Sequence, residues 1–314
     1  MRLNKLLLVS LFFIIPYFGF GQSNWELGIK AGAASGLCDI GGINAAGSPS
    51  IENIQPGQIR WDLGGYVRYR ISSHFSLSGQ FDYIRLQGFD SLSKVTSIRD
   101  RNLNYRDDII EGSVRLEWSF WNITDLGGHF TYENSFNMYL FVGAGIFHMN
   151  PEAMVSETTP PRNFDLSYGQ YVPLHTLTTE GESEYSLIQP SIPMGIGFYY
   201  TIHKNIRLGW EFCWNKTFTD YIDDVSGKYP SSGSDKTLPN PNSKYFSSQS
   251  FFVPGITPQQ LSNYGPGSPR GNNDKNDSFV TTAITLGFVL HSKMTKAKKN
   301  YFFEKNNYKS RAAF

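Results

Sequence analysis

The chain of 314 residues holds only two cysteines, Cys38 and Cys213. Two cysteines exclude a disulfide framework, and a single bond between them stays open because its geometry is not written in the sequence. Net charge is also nearly absent, at +1, which removes the electrostatic reason to expect a nucleic-acid partner. Paired cysteines and histidines one helical turn apart are missing, so no metal motif is recognised and no cofactor is expected. The six histidines are His74, His129, His148, His175, His203 and His291. They are scattered, and no nucleophile–base spacing picks out a catalytic set, so the chain reads as non-enzymatic. His148 and His175 beside Asp220, Asp223 and Asp224 come nearest to a hydrolytic rim.

Long apolar runs are equally scarce. The one present, residues 6–20, is interrupted by Pro16 and falls short of the roughly 20 residues that a spanning helix needs. Arg2 and Lys5 precede it and Gly19-Phe20-Gly21 closes it, which is the pattern of a signal peptide cleaved between Gly21 and Gln22. The expected organisation is therefore a signal peptide over 1–21, a barrel over 22–290 and a basic tail over 291–314. No cysteine adjoins the cleavage point, so a lipid anchor is not expected.

What is abundant is glycine and aromatic side chains, with Gly 30, Tyr 18 and Phe 24, a composition that favours β structure. Residues 206–215 set the pattern. Ile206, Leu208, Trp210, Phe212 and Trp214 fall on one face, while Arg207, Gly209, Glu211, Cys213 and Asn215 fall on the other. A period of two is that of a strand, and ten residues match the roughly 9 to 11 that a tilted strand uses to cross a bilayer. Similar segments are predicted over 25–33, 61–71, 75–85, 109–120, 138–148, 189–200 and 278–290. The segment 138–148 is apolar on both faces and cannot be oriented.

Connections after the first, third, fifth and seventh segments are long and polar, and the others are short or middling. That asymmetry, with an even strand number, predicts an all-β fold: an eight-stranded antiparallel transmembrane β-barrel with long outer loops, both termini periplasmic and outer-membrane lipid around it. Trp25, Tyr69, Phe75, Trp118, Trp121, Tyr139 and Tyr200 are expected in one interfacial girdle, and Tyr83, Phe147, Trp214 and Phe279 in the other. Inward faces carry Lys30, Arg68, Arg70, Arg115 and Arg207 against Glu26, Asp62, Asp82, Glu111, Glu117 and Glu211. In so narrow a tube these are expected to pair and plug it.

Asp220, Asp223 and Asp224 have two readings, as oxygen ligands for Ca²⁺ or as turn and cap residues at a strand end, and the absent Asp-x-Asp-x-Asp-Gly spacing favours the second. The tail is basic, with Lys296, Lys298 and Lys299 ahead of Tyr301, Phe302 and Phe303. Such a run reads as a solvated tail, or as a docking segment for an acidic periplasmic partner.

Several segments carry a resemblance: 101–106 (RNLNYR), 139–148 (YLFVGAGIFH) with 150–153 (NPEA), 179–181 (TEG), 216–227 (KTFTDYIDDVSG) and 270–272 (RGN). Together they resemble the PorG family, small outer-membrane barrels of Bacteroidetes linked to type IX protein secretion. The stretch holding Asp220, Asp223, Asp224 and Gly227 is the most specific part. The resemblance implies a non-enzymatic barrel that anchors the periplasmic and lipoprotein subunits of a secretion ring. The alternative is a stand-alone barrel, acting as a narrow channel or as a surface-binding module.

Overall fold

Alternation at period two becomes strand wherever one face meets a crowded interior and the other a uniform apolar exterior. The computed structural model describes residues 25–42, 54–124, 134–156, 166–230, 238 and 241–290. The cleavage point Gly21/Gln22 and the tail residues Lys296, Lys298, Lys299, Tyr301, Phe302 and Phe303 lie outside them.

Ten strands run in chain order through the described residues: β1 (Trp25–Leu37), β2 (Arg60–Arg70), β3 (Phe75–Phe89), β4 (Asn104–Ile123), β5 (Ser135–His148), β6 (Glu152–Met154), β7 (Tyr171–Pro173), β8 (Ile188–Ile202), β9 (Ile206–Thr217) and β10 (Ser278–Leu290). The eight long ones pair in the order β3-β2-β1-β10-β9-β8-β5-β4, and β3 pairs with β4 to close the ring. All pairings are antiparallel. The fold is a closed eight-stranded antiparallel β-barrel. Strands β6 and β7 form a small hairpin appended to β4.

The first and last strands meet at Trp25↔Leu290, at the same end as the tight connections. There, Ser72 Oγ accepts from the amides of His74 and Phe75, while His203 and Lys204 turn the chain in the left-handed region. At the other end β1, β3 and β4 run further than the alternation predicted, to Leu37, to Phe89 and back to Asn104. Beyond Arg85 the pattern breaks because loops cover both faces: Leu86, Gln87 and Gly88 are all buried.

Most of the inward charges pair as anticipated, while Arg70 and Glu111 take neutral hydroxyl partners instead. Lys30 Nζ lies 2.9 Å from Asp82 and 3.5 Å from Asp62. Arg68 reaches Glu117 at 2.7 Å and Glu26 at 3.0 Å, and Arg207 also contacts Glu26. Arg115 meets Glu211 at 2.6 Å, Glu111 accepts from Ser191 Oγ at 2.5 Å, and Arg70 donates to the Tyr199 hydroxyl at 3.2 Å. Tyr139 donates to Glu211 at 3.0 Å and accepts from Arg68 at 3.1 Å. Side chains fill the lumen.

Three aromatic assignments are corrected. Tyr139 points into the lumen, and Phe147 and Phe279 are buried where they pack edge to face at 6.0 Å under the loops. A phenol or benzyl ring suits a packed interior as well as an interface, so position along the strand does not decide between them. The strand that could not be oriented, β5, thereby acquires a direction: Asn137, Tyr139, Phe141 and Phe147 face in, and Leu140, Val142 and Ile146 face out. Exposed rings do gather at the short-turn end, as in the Trp25–Tyr69 pair at 4.8 Å, and Trp61–Tyr83 pairs at 4.9 Å toward the other.

Both cysteines are free. Thr281 is the common partner of Ala34 and Cys213, so Cys38 sits about 13 Å further along the barrel at strand rise. The two thiols belong to separate clusters.

Glycine makes room for the long inward side chains. Gly197 faces Glu211 across β8 and β9, and a Cβ there would come within 2.6 Å of the Tyr139 ring and 3.1 Å of the Trp210 carbonyl. Tyr139 cannot swing aside without losing its bonds to Arg68 and Glu211. Gly197→Ala is expected to destabilise the barrel by about 1–3 kcal/mol, read as a lower denaturation midpoint at unchanged denaturant slope.

Candidate functional site

Long loops rich in Asp, Ser, Asn and Gly would ordinarily stay solvated. Here they fold into a cap over the end of the barrel opposite the tight turns. Apolar side chains from the strand ends and loops form one cluster around Ile40, Leu86, Tyr105, Met149, Ile222 and Val225. A second joins Val155, Leu174, Leu177, Tyr245 and Phe246.

Between them lies a buried polar knot built on two arginines. Arg101 donates to Asp90 twice, at 2.7 and 2.9 Å, and to the carbonyls of Arg270 at 2.6 Å and Asp39 at 2.8 Å. Arg270 donates to Glu180 at 3.1 Å and to the carbonyls of Asp224 at 2.6 Å and Ser247 at 3.2 Å. Planar guanidinium groups suit this work, because each holds several fixed acceptors at once.

The motif after β9 is part of this knot and not a surface turn. Asp223 accepts from the amides of Ile40 at 2.7 Å and Val225 at 3.0 Å. Asp224 sits at φ 64° and accepts from Thr179 Oγ1 at 2.5 Å and the Tyr185 hydroxyl at 2.8 Å. The Gly227 amide donates to Glu180 at 3.0 Å, and its carbonyl accepts from the amides of Arg270 and Gly271. The sequence segments 101–106, 179–181, 216–227 and 270–272 thus converge in space. Asp220 is buried as well, but neither of its carboxylate oxygens receives a hydrogen bond of normal geometry.

Burial pushes the Asp220 carboxyl up to about 7 and Asp224 to about 6, although Arg270 beside Asp224 works the other way. Burial also raises Asp39, Asp223 and Asp277, with Asp39 and Asp220 adding to the rise at Asp223, and Asp223, Asp220 and Asp39 to that at Asp277, and it lifts the Cys38 thiol. Sequence reasoning passed over Cys38, Asp39, Asp90 and Asp277. The loop arginines, which need buried acceptors, point to Asp90 and Asp39, and no local signal points to Cys38 or Asp277.

The hydrolytic rim does not assemble. His148 is exposed on β5. His175 Nε2 donates to the Tyr185 carbonyl at 2.6 Å and reaches Asp224 only through that tyrosine, whose ring stacks on Tyr221 at 4.6 Å.

No protein-family model and no curated protein matches the chain. Solved structures similar to it include the N-terminal β-barrel domain of Pseudomonas aeruginosa OprF, at 8% identity and TM-score 0.33, covering 86% of this chain and 99% of that one. Neisserial surface protein A is similar at 10% identity and TM-score 0.33, with coverage of 86% and 99%. Ail of Yersinia pestis is similar at 12% identity and TM-score 0.29, with coverage of 85% and 99%.

Arg101→Leu would strand the Asp90 carboxylate and two carbonyls, a loss of about 3–5 kcal/mol for a buried pair broken on one side. The expected outcome is a cap that exchanges amide hydrogens and is cut by protease within 218–277, while strand amides stay protected. Hydrogen-exchange mass spectrometry distinguishes this from loss of the whole barrel.

Proposed function

We propose that the protein is an integral outer-membrane barrel, with its termini and tight turns in the periplasm and its folded cap outside, and that it works as a structural, non-enzymatic component. The observation that carries this reading is a lumen filled by paired charges inside a continuous apolar exterior. Every barrel strand exposes large apolar side chains, among them Ile29, Leu63, Phe81, Val114, Val142, Phe198, Leu208 and Ile284. Soluble monomers rarely expose contiguous apolar patches beyond a few hundred Å², whereas lipid surrounds such a belt without cost. A packed interior argues against the narrow-channel alternative.

On the resemblance to PorG, the finer role is to anchor a periplasmic ring of the type IX secretion machinery through its periplasmic and lipoprotein subunits. The folded cap favours a second reading, a stand-alone surface-binding module, because loops that bury two apolar clusters present a fixed outer surface. Pull-down of the tagged chain from its native outer membrane, compared with a chain ending at Leu290, separates them. Ring subunits that accompany the full chain and are lost on truncation support the anchor and place its contact in the basic tail. A barrel that comes down alone in both cases removes the anchor reading.

The membrane itself is tested on β10. Ile284, 62% exposed, lies near the middle of that strand. Ile284→Arg is expected to cost about 2–4 kcal/mol in lipid vesicles, whereas an exposed site in water would tolerate it within about 0.5 kcal/mol.

A further inference from the structure

In the lumen Glu26, Asp62, Asp82, Glu111, Glu117 and Glu211 each face a basic or hydroxyl group, but four buried carboxylates of the cap have no basic partner. Among the described residues no ion pair joins Asp39, Asp220, Asp223 or Asp277 to a basic side chain. Arg101 stands nearby, yet its guanidinium is already committed to Asp90. Buried negative charge without a partner is costly, and a metal ion is one of the ordinary ways to offset it.

The arrangement of atoms is that of a ligand set. Cys38 Sγ and one carboxylate oxygen each from Asp223 and Asp277 lie within 4.8 Å of one another, and all three residues are buried. Tetrahedral bonds of about 2.0–2.3 Å put ligand atoms about 3.3–3.8 Å apart, so closing on an ion needs a contraction of roughly 1 Å. The supports are in place: the Tyr105 hydroxyl donates to Cys38 Sγ at 3.5 Å, Ile40 and Val225 amides hold Asp223, and the Ile222 amide holds Asp277 at 3.0 Å. Outer contacts of this kind orient ligands and tune their basicity.

An independent observation comes from Asp220. It is 8% exposed, and neither of its oxygens receives a hydrogen bond of normal geometry, the Ser226 hydroxyl being the one side chain that helps to hold it. The segment that carries it is bonded to Asp277 on both sides, the Asp277 amide donating to the Thr219 carbonyl at 2.9 Å and the Ile222 amide to the Asp277 carboxylate at 3.0 Å, which seats Asp220 beside the trio.

The geometry points to a binding site for a thiophilic divalent cation of the zinc class, held by Cys38, Asp223 and Asp277 with Asp220 as the adjoining acid. A thiol among the ligands selects zinc over calcium, which takes oxygen. Binding displaces the thiol proton to solvent. Because Cys38 follows β1, Asp223 follows β9 and Asp277 precedes β10, the ion would tie together the outer ends of three adjacent strands and the loop between two of them.

The test uses full-length protein in detergent, without a histidine tag and stripped by chelator. Cobalt(II) alone is added as the probe. The expected result is a thiolate-to-cobalt charge-transfer band saturating at about one equivalent, removed by zinc, absent in Cys38→Ser and retained in Cys213→Ser. Asp220→Asn should weaken binding roughly tenfold or more. Folded wild-type protein that shows no band overturns the site, and so does a band that survives Cys38→Ser. Protection of the cap by calcium and not by zinc overturns it too, and an inert cap leaves shared protons as the way its carboxylates are satisfied. If Cys38→Ser does not fold by circular dichroism, the wild-type band and its weakening in Asp220→Asn decide.

Discussion

Charge that is buried must find its opposite, and the interior of this barrel is organised by that requirement. Lys30, Arg68, Arg115 and Arg207 are almost fully enclosed, and each contacts at least one carboxylate. Taking such groups out of water costs several kcal/mol apiece unless geometry and hydrogen bonds offset it. The tyrosines serve the same end, with Tyr66 and Tyr139 donating to Glu26 and Glu211. Removing Lys30 leaves Asp62 without a basic partner and removing Arg68 does the same to Glu117, whereas Glu26 is shared between Arg68 and Arg207, so the network is linked through shared acids.

Space for that network comes from the inner-face glycines. Gly64 faces Asp82, Gly143 faces Arg115, Gly197 faces Glu211 and Gly287 faces Arg207. Small opposite large is how a narrow closed sheet accommodates long side chains without opening a channel. The high glycine content is thus a consequence of the charged lumen, and the apolar exterior is what allows a strictly alternating pattern to persist around the ring.

This explains which parts were legible from sequence. Where lipid-type apolar residues alternate with polar ones, as in Ile206 to Thr217 (β9), the face assignments follow directly from period two. They fail on β5, where Tyr139 and Phe141 use apolar rings to line a polar lumen. They also stop short on β3 and β4, because Leu86 and Tyr105 meet loops on top of the barrel and both faces become interior. The cap was illegible for a different reason. Its Asp, Ser and Gly residues have the composition of solvated turns, and nothing local reveals that Arg101 and Arg270 bind carbonyls and acids far away in the chain.

The two ends of the molecule therefore solve unlike problems. In the lumen, acid and base come from neighbouring strands, and register alone brings them together once the ring closes. In the cap, loops of irregular backbone have no register to align them, so alignment rests on a few multivalent groups. Arg101 joins the loops after β1, β3 and β9, and Arg270 joins those after β7 and β9. The acids that neither arginine satisfies, Asp220, Asp223 and Asp277, lie where the loop between β9 and β10 leaves and rejoins the barrel. That is where a bound cation would add most, because it would close the longest connection in the chain onto strands that are already fixed.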